Sequence, residues 1–222
     1  MRRTLLVLVF VVIAALVLRA SGEEEPPQGP TLVVTGDPVR VVMGANPGAA
    51  TIETRTAAAL ADAARSATDP RMQAGWQQLA GDTTSVEAMA VSAASRLSSD
   101  GAAALAYPMF AVDAGGERLT IIAMTVEIIP GRQGMAVSRD HEDGHAEVND
   151  QIALRCGPIV AAASVARGLV GSALEHEIIS TLNGHASRAH TVYHGMVEQA
   201  RLGDHLGAAK RAAAEVAADG CG

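Results

Sequence analysis

Residues 118–152 read RLTIIAMTVEIIPGRQGMAVSRDHEDGHAEVNDQI, and the hydrophobic period changes part-way along. In the first third, Ile121, Ala123, Thr125 and Glu127 alternate with Ile122, Met124, Val126 and Ile128. A period of two sends alternate side chains to opposite faces of a strand, and one face here is more apolar than the other. Pro130-Gly131 ends the strand. From about residue 136 the spacing becomes helical, with Val137, His141, His145, Val148 and Ile152 on one stripe. The stretch therefore predicts a strand that hands the chain, through a short Gly-rich turn, to a helix carrying two histidines on its buried face.

The flanking sequence extends this picture in both directions. ALAYPMFAVDA (residues 104–114), then Gly115-Gly116-Glu117, then residues 118–130 read as a β-hairpin. Near the start, TLVV and VRVVMG read as two short strands around a Gly-Asp-Pro turn. Residues 56–67 are Ala-rich and helical, and Asp69-Pro70 stops that helix and starts another through Trp76 and Leu79. Met72 and Trp76 read as core. Thr84-Ser85-Val86-Glu87 has the form of a capping box, for a helix to about residue 97, with a strand as the competing reading. The second half reads as helices over 136–155, 158–182 and 185–217, with breaks available at Gly195 and Gly203. Strands come first and helices later, without βαβα alternation. The expected class is α+β: a small antiparallel sheet packed on the helix of residues 141–145, followed by a helical C-terminal half.

Composition bounds the function. The 222 residues are 49% hydrophobic but only 2% aromatic, so the core has to be built from Ala, Val, Leu, Ile and Met. A net charge of -7 without a basic run argues against a nucleic-acid partner. Met1-Arg2-Arg3, the uncharged run of residues 4–18, and Ala20-Ser21-Gly22 have the layout of a secretory signal peptide. The apolar run is shorter than the roughly 20 residues of a bilayer span, although an uncleaved signal anchor is the alternative. The domain expectation is thus 1–22 signal peptide or anchor, 23–30 (EEEPPQGP) linker, and 31–222 one domain outside the cytoplasm. The membrane enters only through such an anchor. Cys156 and Cys221 are the two cysteines and can form one disulfide in an oxidising compartment.

HEDGH, residues 141–145, carries the chemistry. On a helix, His141 and His145 project from one face a turn apart and can bind one zinc ion through ring nitrogens. Glu142 lies about 100° further round, where it reaches a water on the metal without becoming a ligand. A catalytic zinc takes three protein ligands and a water. Gln151 occupies the place six residues past the motif, so the third ligand has to come from later in the chain. Candidates are Glu175, His176, Glu177, His185, His190, His194, Asp204 and His205, and no histidine precedes His141. His190 and His194 again share a face. Asp140, Asn149 and Asp150 are candidate acceptors for imidazole N–H groups.

The motif resembles that of the zincin metallopeptidases, with Arg139, Asp143 and Glu147 charged where zincins usually are not. More particularly, it is similar to a family of predicted secreted bacterial zinc-dependent proteases of unknown function. Their pattern is a strand ending in Pro, an HExGH helix, and a helical tail bearing a tyrosine followed by an acidic residue and a later His-Gly. Tyr193-His194-Gly195 and Asp204-His205 stand in the comparable places here. The resemblance implies Zn2+ as cofactor, His141, His145 and His194 as its ligands, and Glu142 as general base towards a peptide or protein substrate. Glu175 or Glu177 is the other choice of third ligand. Tyr193 is either a donor to a substrate oxyanion or an anchor for helix packing. The rival class is a non-catalytic extracytoplasmic binding or envelope protein in which the motif is incidental or degenerate.

Overall fold

The structure is a computed structural model and describes residues 27, 29–43, 49–81, 83, 88, 105–115, 118–130, 139–200 and 204–222. The signal segment of residues 1–22, most of the linker, and all but one residue of the 84–97 helix lie outside the described residues.

The central strand is β4 (Thr120–Pro130), and every other strand pairs with it. β3 (Leu105–Asp113) runs antiparallel along it from Leu105↔Ile128 to Asp113↔Thr120, which is the hairpin read from the sequence. β1 (Leu32–Val34) and β2 (Val39–Met43) both run parallel to β4, at Leu32↔Thr120 to Val34↔Ile122 and Val39↔Val126 to Met43↔Pro130. A strand has two edges, so with β3 on one, β1 and β2 lie end to end along the other. Residues 35–38 between them span residues 123–125 of β4, four against three, and the extra residue breaks the ladder as a bulge does. The expected all-antiparallel sheet is therefore corrected to a mixed one. The Gly-Asp-Pro segment interrupts an edge strand and does not reverse the chain. Local turn chemistry carries no record of a partner some ninety residues away.

The helices are α1 (Ala49–Ser66), α2 (Pro70–Gly81), α3 (Arg139–Ala166), α4 (Gly171–Ala200) and α5 (His205–Ala218). Asp69 starts α2 as anticipated: its Oδ1 accepts from the Arg71 N–H at 2.7 Å, with Pro70 in the first helical position. The later boundaries differ from the expected ones. α3 continues through Gly157-Pro158 to residue 166, because Pro158 sits on the exposed side, where water can take the carbonyl its missing N–H leaves. The break falls instead at Gly168, whose φ of 77° is the left-handed conformation that glycine adopts without strain. There the Leu169 N–H reaches the Ser164 carbonyl and the Gly168 N–H reaches that of Val165, a Schellman closure. α4 then runs unbroken through Gly184 and Gly195.

The alternation of β4 sorts the core into two layers. Ile122, Met124, Val126 and Ile128 join Leu60, Met72 and Trp76 beneath α1 and α2. Leu119, Ile121 and Ala123 join Val148, Ile152, Leu182 and Ala212 beneath α3, α4 and α5. Trp76 and Met72 are core residues, 2% and 4% exposed. Thr125 and Glu127 share the second face by register, so the polar end of β4 looks onto the start of α3. Cys156 and Cys221 form a disulfide with Cα atoms 5.1 Å apart, tying the middle of α3 to the segment after α5.

Candidate metal centre

The first turns of α3 place His141 and His145 over the polar end of β4, with acidic Asp140 and Glu142 favourable near the helix N-terminus. α4 crosses there and contributes His194. Ligand nitrogens of His141, His145 and His194 all lie within 4.8 Å of one another, a group that could hold a metal ion. Nε2 of His141 and Nε2 of His145 are 3.2 Å apart. Two nitrogens bound at 2.0–2.1 Å to one tetrahedral ion stand about 3.3–3.4 Å apart, so this pair already has the spacing of shared ligands. His145 is 8% exposed. Burial, with the positive charges of His190, His141 and His194 adding, pushes its pKa down to about 2. The ring is thus neutral, the form that binds a metal.

Tyr193, fully buried on α4, locks the motif helix to the later helices. Its hydroxyl donates to the His141 carbonyl at 2.9 Å and lies 3.1 Å from His205 Nδ1. A Cβ on Gly144 would stand 2.1 Å from that oxygen, so the glycine of HEDGH is the residue that lets Tyr193 in. Burial raises the phenol's pKa, with the Glu142 and Asp140 charges adding. With its hydroxyl already engaged twice, Tyr193 serves as the packing anchor.

Glu142 is 4% exposed, and its Oε2 has no hydrogen-bond partner among the described residues. Burial first, then the charges of Glu127 and Asp143, raise its pKa to about 7, and Arg40 opposes them. Arg40 organises this acidic ground. From β2 it gives Nε to Oε2 of fully buried Glu127, its register partner on β4, at 2.7 Å. Its other end pairs with Asp143 on α3.

Other candidates fall away from the centre. Glu175 Oε1 accepts from the Ala114 N–H beside the hairpin, and Glu177 pairs with Arg167 at the α3–α4 corner. His176 is exposed, His185 lies 3.2 Å from the Cys221 carbonyl, and Asp204 caps α5 through the Gly207 N–H. His190 touches the second nitrogen of His145, and Asn149 touches His190. Arg40 and Glu127 escaped the sequence reading, although a lone Arg in VRVVM and a lone Glu in TVEII were a visible pair of opposite charges in otherwise apolar strands.

Asp150 is not an acceptor for the histidines. It lines an open cavity of about 660 Å³ with Asp37, Asp143 and Glu147. Burial, then Glu147 and Asp37, raise its pKa from 3.8 to about 7. Between those values the unfolded chain releases this proton while the folded chain keeps it, so folding stability falls as pH rises through the window. Asp150→Asn removes that dependence. Its urea midpoint relative to wild type is expected to climb between pH 5 and pH 8, and a gap that stays constant would contradict the assignment.

Compared with known proteins, the chain matches no family model, no curated protein and no solved structure. Among the described residues no helix is long and apolar enough to cross a membrane.

Proposed function

We propose that the chain is an exported, zinc-dependent metallopeptidase-like hydrolase, with His141, His145 and His194 as ligands and Glu142 as general base. The observation that carries this reading is the meeting of three imidazoles from two helices, within 4.8 Å, next in sequence to a buried carboxylate one of whose oxygens has no hydrogen-bond partner among the described residues. Three imidazoles suit a borderline divalent ion and leave room for a fourth ligand, the donor set of catalytic zinc. Zinc, when bound, polarises a carbonyl and lowers the pKa of water towards neutrality. Glu142 accepts the proton of the attacking water and returns it to the leaving amine. Arg40 holds Asp143 and Glu127 in place around that carboxylate. The Cys156–Cys221 disulfide suits an oxidising compartment, which supports export.

The reading is tested on the purified chain with an unstructured polypeptide as substrate. A chelator is expected to stop hydrolysis and added Zn2+ to restore it. Hydrolysis indifferent to the chelator, or none under any metal, would sink the proposal.

A further inference from the structure

Four side chains on three elements form an unbranched chain of contacts ending at His145. Asn149 on α3 gives its amide nitrogen to Thr125 Oγ1 on β4 at 2.8 Å. Its amide oxygen, Oδ1, lies 2.8 Å from His190 Nε2 on α4. Nδ1 of His190 lies 2.7 Å from Nδ1 of His145. Asn149 and Thr125 are 0% and 2% exposed, so bulk water does not compete for the bond between them, while His190 is half-buried.

The proton positions follow from what each group can do. An amide oxygen only accepts, so His190 carries its proton on Nε2. A neutral imidazole has one donor and one acceptor nitrogen, so His190 Nδ1 accepts. The facing nitrogen, Nδ1 of His145, then has to donate. That leaves Nε2 of His145 as a lone pair, and Nε2 is the atom 3.2 Å from His141 Nε2 in the cluster.

We propose that His190 is a positioning residue: polarised by Asn149 and Thr125, it holds His145 in the Nδ1–H tautomer and aims Nε2 at the metal. The last step rests on the metal reading above; the tautomers do not. A ligand histidine usually gives its second N–H to a carboxylate, a carbonyl or water. A neutral ring in that place fixes orientation and tautomer without adding negative charge beside the ion. The sequence already showed His190 one turn before His194 on the same face of α4. One helix thus supplies a ligand and, four residues earlier, the group that orients a ligand on another helix.

Nitrogen-15 NMR of the metal-free full chain reads the tautomers directly. The expected result is a proton on Nδ1 of His145 and on Nε2 of His190; a proton on Nε2 of His145 overturns the relay. Co2+ titration followed by visible absorbance reads its consequence. His190→Leu is expected to weaken Co2+ binding by about 10–100-fold, the usual effect of removing a group that orients a ligand. His190→Gln should recover most of the loss, because its amide can accept from His145 and donate to Asn149. Thr125→Val lets the Asn149 amide turn over and present its nitrogen to His190. It should weaken Co2+ binding and move the His145 proton, a response no packing role would give. Should His190→Leu fail to fold, Thr125→Val and the wild-type spectra decide. Wild-type binding of Co2+ with His190→Leu and Thr125→Val equally tight overturns the relay. A wild type that binds no Co2+ overturns the metal reading, and the proton positions still judge the relay.

Discussion

Glu142→Gln is expected to keep the metal and to lose hydrolysis by about 10²–10⁴-fold, the usual contribution of a general base. Glutamine preserves the shape of the side chain and its place on α3, so ligand geometry is undisturbed. It cannot take a proton at neutral pH. Oε2 of Glu142 has no hydrogen-bond partner among the described residues. The substitution therefore breaks no hydrogen bond at that oxygen among the described residues, and it removes a buried acid crowded by Glu127 and Asp143. Stability should hold or rise slightly while activity collapses. Steady-state turnover of the unstructured polypeptide, with metal content measured on the same sample, separates the two effects. Loss of metal together with activity would recast Glu142 as part of the ligand set.

Arg40→Met is expected to destabilise the fold by about 3 kcal/mol, the low end for removing one partner of a buried ion pair. Glu127 has no exposed surface, whereas the Arg40 side chain is 32% exposed, which places the effect at that end of the range. Methionine keeps much of the aliphatic stem, so the loss is electrostatic in origin and not a matter of packing. Arg40 is also the influence that lowers the Glu142 pKa, so the variant's Glu142 should hold its proton to higher pH. Urea unfolding measures the first effect. The double variant Arg40→Met with Glu127→Leu should regain much of the loss, because the buried acid that had paired with Arg40 is removed together with it. If Arg40→Met unfolds within about 0.5 kcal/mol of wild type, the ordinary range for surface changes, Glu127 is not a buried anion needing Arg40.

The elements that could be read from the sequence were those whose cause is local. The period of two in residues 121–128 gave β4 and its two faces. The spacing of His141, His145, Val148 and Ile152 gave α3 and the side on which its histidines gather. Asp69-Pro70 gave the start of α2. What could not be read depends on partners distant along the chain. TGDP has the chemistry of a hairpin turn, and only β4, more than eighty residues on, shows it to be an interruption in a parallel edge. Gly157-Pro158 looks like a helix end, and only the solvent beside Pro158 shows why α3 survives it.

The centre divides in the same way. The i, i+4 pair announced two candidate ligands, and the zincin resemblance pointed to His194. The roles of Arg40, Thr125 and His190 arise because β2, β4 and α4 converge on one helix, which no local spacing records. His190 was visible as a candidate ligand, but its place one contact behind His145 depends on how α4 crosses α3.

The most direct measurement is metal stoichiometry and coordination in the folded, purified chain. After dialysis against Zn2+ and removal of excess, one zinc per chain is expected, with X-ray absorption showing three imidazole nitrogens at about 2.0–2.1 Å. The ion should be gone from His145→Ala. A folded wild-type chain that retains no metal, or a variant with His141, His145 and His194 all replaced by Ala that retains it, would contradict the account.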